Sequence, residues 1–298
     1  MTESQLVSVI IIFWNAGPFL AEAIASVVAQ TYPHWELLLV DDGSTDASPA
    51  IAQQAMAAAP ARMRYLHHPQ HANRGMSAAR NLGIAHAKGS YLAFLDADDV
   101  WLPEKLSRQV ALLAAVPEAA LVYGPTEWWY SWTGRAADQG RDVVAVLGVP
   151  PNTLLPPPLL VTRFLRQEGL SPCTCSLLAR SEVIERVGGF EESFRGLYED
   201  QAFVAKVCLT APVFASSGCW SRYRQHPNSA CSLADKAGQA HVARLTFLNW
   251  LSAYLSEHGI TEPELWKALQ HELWPYRHPY VSSVVSGTRY AARQIGRR

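Results

Sequence analysis

Apolar residues come along this chain in short continuous runs, separated by stretches in which they recur at helical spacing. Val7-Ser8-Val9-Ile10-Ile11-Ile12-Phe13 is a β-branched run without alternation, the pattern of a strand buried on both faces. Asn15-Ala16-Gly17-Pro18 turns the chain into a helix, with Pro18 in its first turn and Leu20, Ile24, Val27 and Val28 on one face. Tyr32-Pro33 ends it, and Trp35–Val40 reads as a second strand. Ser48-Pro49 opens a helix with Ile51, Ala55 and Ala58 on its buried face. Met63–Leu66, Tyr91–Leu95 and Leu121–Tyr123 read as further strands, and 75–87 and 104–115 as further helices. This alternation predicts βαβ units and an α/β fold with a mostly parallel sheet. Such sheets bind ligands beyond the carboxyl ends of their strands. Three of those ends carry Asn15, Asp41-Asp42 and Asp96–Asp99, so polar groups and several acids share one rim.

The pattern changes at about residue 126. Trp128, Trp129, Tyr130 and Trp132 cluster, and Pro150-Pro151 and Pro156-Pro157-Pro158 follow, so 126–168 reads as a long insertion with little regular structure. Cys173–Ala179 returns to a strand pattern. Ser181-Glu182 starts a short helix that Gly188-Gly189 ends, Tyr198–Leu209 is helical, and Cys219–Arg224 is a late strand. From about Ala234 the signals are helical only, with breaks expected at Pro263 and Pro275.

Composition narrows the function classes. Hydrophobic residues make up 49%, which excludes intrinsic disorder. Twenty-five basic against 26 acidic side chains leave a net charge of −1, so no global basic field exists to bind nucleic acid. The five cysteines match no zinc spacing and read as free thiols in a reducing compartment, with Cys173 and Cys175 at alternate positions of one strand. There is no signal-peptide pattern and no run of about 18 apolar residues, so the expected address is the cytoplasm. After Glu272 there is no acid, while Arg277, Arg289, Arg293, Arg297 and Arg298 follow. With Val281, Val284, Val285, Tyr290 and Ile295 they fit an amphipathic basic helix in peripheral contact with the inner membrane face. A solvated basic end packed on the domain fits equally well.

Two acidic motifs carry the candidate chemistry. Asp96-Ala97-Asp98 ends a buried strand, where two carboxylates are costly unless a cation balances them. Oxygen ligands of this kind suit Mg²⁺ or Mn²⁺, which in turn grip a diphosphate. The structural alternative is a helix cap, with Asp99 ahead of Trp101-Leu102-Pro103. Asp41-Asp42-Gly43-Ser44 offers carboxylates to a nucleobase N–H or a ribose hydroxyl, or else forms an Asx-turn.

Together these segments resemble family 2 glycosyltransferases. The resemblance rests on Val7–Ile12 ahead of Asn15, on Ser26-Val27-Val28-Ala29-Gln30-Thr31-Tyr32, on Leu39–Asp46, on Asn73–Gly83 and on Gly89–Asp99. It covers about 5–230 and is densest in 5–106. It implies a GT-A fold, an αβα sandwich, spanning 1–232, with a nucleotide-sugar half at 1–123 and an acceptor half at 124–232, followed by a helical extension at 233–298. It implies inverting transfer from a nucleoside-diphosphate sugar, UDP-sugars foremost, with Mn²⁺ or Mg²⁺. The acceptor would be a glycan, a lipid-linked or a small molecule, as in cell-wall or polysaccharide assembly. By position, Ile12, Phe13, Trp14 and Asn15 would line the nucleotide site, Asp41 would hold the base and Asp42 would lie beside the ribose. Ala97 lies between Asp96 and Asp98, and those two acids would bind metal and diphosphate. Arg80, in the matching Ala-Arg-Asn segment, approaches the diphosphate or forms a structural ion pair. Gly188-Gly189-Phe190 and Tyr198-Glu199-Asp200-Gln201 resemble later family segments, which makes Asp200 the implied general base and Glu199 its near alternative. An acid favoured by the helix dipole would explain either residue without catalysis. Arg222-Tyr223-Arg224-Gln225-His226 matches a further segment, with His226 as a third metal ligand and Arg224 as a phosphate partner. The Trp128–Trp132 cluster would be an acceptor platform or ordinary packing. Nucleotidyl transfer and dinucleotide oxidoreduction lack their Gly-rich loops here. The remaining alternative is a catalytically degenerate domain that binds a nucleotide sugar or glycan.

Overall fold

The computed structural model describes residues 5–278. The first half alternates as its hydrophobic pattern predicts: β1 (Val7–Phe13), α1 (Gly17–Val28), β2 (Trp35–Asp41), α2 (Ser48–Ala58), β3 (Met63–His67), α3 (Met76–His86), β4 (Tyr91–Asp96), β5 (Val100–Trp101), α4 (Lys105–Ala115) and β6 (Leu121–Tyr123). The second half holds β7 (Glu127–Trp129), β8 (Val143–Val144), β9 (Thr153–Leu155), α5 (Leu159–Leu165), β10 (Leu178–Arg180), α6 (Ser181–Val187), α7 (Glu199–Thr210), β11 (Val213–Ala215) and β12 (Ser221–Arg224). Three helices close the described chain, α8 (Ala230–Lys236), α9 (Ala240–Glu257) and α10 (Pro263–Arg277). None of the described helices is long and apolar enough to cross a membrane.

The main sheet runs β3-β2-β1-β4-β10-β6-β11-β9. β3, β2, β1 and β4 are parallel, while β10 lies antiparallel between β4 and β6. A smaller sheet, β5-β12-β7-β8, stands beside it. The unbroken apolar runs are explained by two cores. Ile10, Ile12, Leu38, Val40, Leu92 and Phe94 point to one, under α3, α5, α7, α9 and α10. Val9, Ile11, Leu37, Leu39, Ala93 and Leu95 point to the other, under α1, α2 and α4. This is the αβα layering that the resemblance implies. Helix α3 lies so close to β1 that a Cβ on Gly83 would stand 2.6 Å from Ile10 Cγ2.

Several expectations need correction. Segment 126–168 holds β7, β8, β9 and α5: Trp128 and Trp129 lie in the small sheet, and Thr153–Leu155 adds an edge strand to the main one. The Cys173–Ala179 strand is in fact a 3₁₀ turn at Thr174–Ser176 followed by the short β10, so Cys173 and Cys175 do not lie on a strand. Their sulfurs lie 3.0 Å apart. Pro263 opens α10 instead of breaking a helix, since a first-turn residue has no N–H partner to lose. Pro275 falls within the last turn of that helix. Asp99 caps nothing: it is fully buried, and Glu104 precedes α4. Of the proposed basic tail, Arg277 ends α10, and the residues from 279 onward lie outside the described residues.

Lys105 is fully buried in the first turn of α4. Its Nζ donates to Gln109 Oε1 at 2.6 Å and to the Leu177 carbonyl at 3.0 Å, and it lies 4.2 Å from the centre of the Trp101 ring. No carboxylate pairs with it among the described residues. Burial therefore lowers its pKa to about 7. A lysine depressed in this way binds its proton less tightly folded than unfolded. Stability should climb as pH rises from about 7 towards the unfolded value near 10.5. Thermal melts across that range should show this slope in the wild type and lose it in Lys105→Met. Parallel curves would contradict the assignment.

Candidate active site

Asn15, Asp42 and Asp96–Asp98 converge at the carboxyl ends of β1, β2 and β4 because these strands are parallel and adjacent. Asp42 and Asp96–Asp98 border a cavity of about 650 Å³, which Asn15 does not line. Ile12, Phe13, Trp14, Asp42, Arg80, Asp96, Ala97, Asp98, Glu199, Asp200 and His226 all line it. Trp14 stands at its wall 60% exposed.

The strand-end loops are locked by short polar contacts. Asn15 adopts φ 51°, and its Oδ1 accepts from the Thr45 N–H at 2.8 Å and the Asp46 N–H at 3.3 Å. The Asn15 N–H donates to Ser44 Oγ at 3.0 Å. Asn15 thus clamps the loop that follows β2. Asp41 is fully buried and does not line the cavity: its carboxylate accepts from the Ser44 N–H at 2.8 Å and from Tyr65 Oη at 2.7 Å. Burial and this bond push the Tyr65 hydroxyl pKa up. Asp42 accepts from the Arg74 N–H at 2.7 Å and the Gly75 N–H at 2.9 Å. These bonds tie the β2 end to the loop ahead of α3.

Arg80 is the buried centre of the site, 2% exposed. Its guanidinium donates to Asp96 Oδ1 at 2.6 Å and to Glu199 Oε1 at 2.9 Å. It lies over Phe190, whose ring stacks on Phe203 at 4.2 Å. Of the two readings of Arg80, the geometry supplies the ion pair. The neighbouring Asn81 donates to the Phe190 carbonyl at 2.9 Å and accepts its N–H at 2.8 Å. The approach is close, since a Cβ on Gly189 (φ +66°) would come 2.6 Å from Asn81 Oδ1. The Ala-Arg-Asn and Gly-Gly-Phe segments therefore meet as one joint, which neither reveals alone.

Glu199 and Asp200 open α7 behind Tyr198, which holds φ 74°. Burial and the charge of Asp200 push the Glu199 carboxyl up to about 7, against the pull of Arg80. Asp200 is also raised, chiefly by burial. It accepts from the Gln201 N–H at 2.7 Å and has no cationic partner among the described residues. Asp98 Oδ2 faces His226 Nε2 at 3.0 Å.

Arg224 does not line the cavity. Its side chain donates to the Asp98 carbonyl at 2.7 Å and to Glu22 at 2.6 Å, among the rings of Phe19, Trp129 and Trp132. Its N–H donates to Asp99 at 2.9 Å. The tryptophan cluster is thereby split, because Trp128 borders the cavity while Trp129 and Trp132 pack on Arg224. Sequence reasoning missed Tyr65, Glu22 and Thr174, whose Oγ1 donates to Asp96 at 3.4 Å. Each is isolated in the sequence from the motif it supports.

Known proteins resemble this chain in sequence and in fold. Residues 8–182 match the model of Glycosyl transferase family 2. An uncharacterized glycosyltransferase of Nostoc sp. is 46% identical over 104 residues, 35% of this chain and 31% of that protein. The putative teichuronic acid biosynthesis glycosyltransferase TuaG of Bacillus subtilis is 39% identical over 108 residues, 36% of this chain and 42% of its own length. The chain thus spans less than half the length of these relatives. Among solved structures, Staphylococcus aureus TarS superposes with a TM-score of 0.66 at 19% identity, covering 92% of this chain and 43% of that one. The mannosyltransferase PcManGT of Pyrobaculum calidifontis, in complex with GDP-Man and Mn²⁺, gives 0.61 at 19% identity over 98% of this chain and 81% of its own. These likenesses are of fold, and the fold is GT-A. The family match takes in well over half of the chain, and this protein belongs to glycosyl transferase family 2.

Proposed function

We propose that this chain transfers a sugar from a nucleoside-diphosphate sugar, a UDP-sugar foremost, to a hydroxyl of a glycan, lipid-linked or small-molecule acceptor, with inversion at the anomeric carbon. One observation carries the reading: the strand-end acids Asp42, Asp96 and Asp98 and the helix-end Asp200 line the same cavity. The expected division follows, with 1–123 supplying the donor side and 124–232 the acceptor side. TarS has been crystallised with UDP-GlcNAc, which favours a nucleotide sugar as donor here too.

Of the acid pair on β2, Asp42 meets the donor ribose, while Asp41 shapes the loop from beneath. Asp98 and His226 fit a divalent cation, Mn²⁺ or Mg²⁺, because an oxygen and an imidazole nitrogen face each other at 3.0 Å with Asp96 alongside. When bound, such an ion supplies Lewis-acid stabilisation of the diphosphate charge. Asp200 accepts the proton of the acceptor hydroxyl as that oxygen bonds to the anomeric carbon and the bond to the diphosphate breaks. Glu199 is the poorer base, since Arg80 already holds it. A base raised by burial keeps more affinity for the incoming proton at neutral pH. Arg224 acts by positioning the Asp98 backbone, and Trp128 offers an aromatic face to the acceptor.

UDP with Mn²⁺ should raise the melting temperature of the wild type by mass action, and Asp98→Ala should lose that shift while remaining folded. No shift with UDP, GDP or dTDP would overturn the donor reading. Asp200→Asn should keep the UDP shift and lose about 10²–10⁴-fold in transfer rate. Near-normal transfer would remove Asp200 from the role of base. Arg80→Met leaves two acids without their cation and should cost about 3–5 kcal/mol in denaturant unfolding, towards the lower figure because Asp96 is partly exposed. A loss below about 1 kcal/mol would show that the pair does not hold the site together.

A further inference from the structure

Close to the acids that end β4 lies a second group of ligand atoms that the transfer reaction leaves unused. A carboxylate oxygen of Asp99 and the sulfurs of Cys173 and Cys175 all lie within 4.8 Å of one another. Two segments more than seventy residues apart supply them. The 3₁₀ turn at Thr174–Ser176 is responsible, because residues two apart on an extended strand share a face but stand about 7 Å apart, and the turn closes that distance. In the turn the sulfurs come to 3.0 Å.

Asp99 is the independent observation. It is fully buried, and one of its oxygens accepts the Arg224 N–H at 2.9 Å. The other, Oδ2, is buried with no hydrogen-bond partner among the described residues. Leaving such an oxygen unmatched costs about 1–3 kcal/mol. The side chain ends in the sulfur cluster, and a cation held there would complete it.

We propose that Asp99, Cys173 and Cys175 form a site for a thiophilic divalent cation of the Zn²⁺ class, separate from the Asp98–His226 pair. Two thiolates select Zn²⁺ over the harder Mg²⁺ and Mn²⁺. Zinc–sulfur bonds of about 2.3 Å in a tetrahedron set the sulfurs about 3.8 Å apart, so they have to separate by about 0.8 Å. The three side chains leave a fourth position. Cys173 is partly exposed and lines the cavity, so that position opens towards the cavity and takes water. The Arg224 N–H on Asp99 is the kind of outer contact that fixes a ligand's orientation. Asp96 and Asp98, on the same strand end, add negative charge that favours a cation.

The test uses the full chain, reduced and metal-free, titrated with Co²⁺ without oxygen. Thiolate-to-cobalt charge-transfer absorption should grow and saturate at one equivalent, and Zn²⁺ should abolish it. Asp98→Ala should retain the band, and Cys173→Ser and Cys175→Ser should each lose it. No band in the wild type would overturn the proposal, as would a band that survives in the double cysteine variant. Should either variant fail to fold, thiol labelling of the wild type decides. Zn²⁺ should shield Cys173 from a thiol reagent and leave the exposed Cys231 reactive. Equal labelling of Cys173 with and without Zn²⁺ would overturn the site.

Discussion

A single buried guanidinium joins the elements that line the candidate site. Arg80 reaches the end of β4 through Asp96 and the start of α7 through Glu199, elements that lie far apart in the chain. Charge makes the link necessary. Asp42, Asp96, Asp98, Glu199 and Asp200 border one cavity, and like charges so placed would drive one another to the neutral form. Arg80 engages two of them, which leaves Asp98 and Asp200 without a guanidinium on their carboxylates. Its burial works the same way, since a cation away from water holds its partners in fixed geometry.

Around that link the site is set before any ligand arrives. Backbone N–H groups of Arg74 and Gly75 hold both oxygens of Asp42, and Asn15 ties down the loop after β2. Arg224, on the small sheet and packed among three aromatic rings, donates to the Asp98 carbonyl and to the Asp99 carboxylate. Groups held in this way need little reorganisation when charge develops beside them. The apolar cores on both sides of the main sheet anchor the strand ends from which these side chains project.

Much of this was legible in the sequence, for local reasons. Unbroken apolar runs mark strands buried on both faces, so β1, β2 and β4 and the acids at their ends were readable. What escaped depends on contacts between distant segments. Arg80 reads equally as a diphosphate partner or an ion-pair member until Asp96 and, on α7, Glu199 are brought to it. Asp41 looks like a ligand group, and it becomes a loop anchor only once Tyr65 on β3 lies beside it. Arg224 looks like a phosphate partner until Glu22 and the aromatic rings enclose it. The Cys173–Cys175 stretch carries strand-like residues, yet hydrogen bonds within the turn prevail over that preference. Pro263 shows a narrower lesson: the same residue that interrupts a helix interior is welcome at its first position.

The antiparallel strand β10 has a consequence for how the chain comes into being. The segment it shares with its Nostoc relative is about a third of the chain, and it is tempting to treat such a segment as a portable module. β4, which carries the acids, nevertheless has β1 on one side and residues 179–180 of β10 on the other. A ribosome that has delivered only the first hundred or so residues presents β4 as an open edge, ready to pair with a neighbouring chain. At that stage the cation of Arg80 also lacks one of its two counter-charges. The stretch densest in family motifs therefore does not complete its own sheet, and its completion waits on residues made much later.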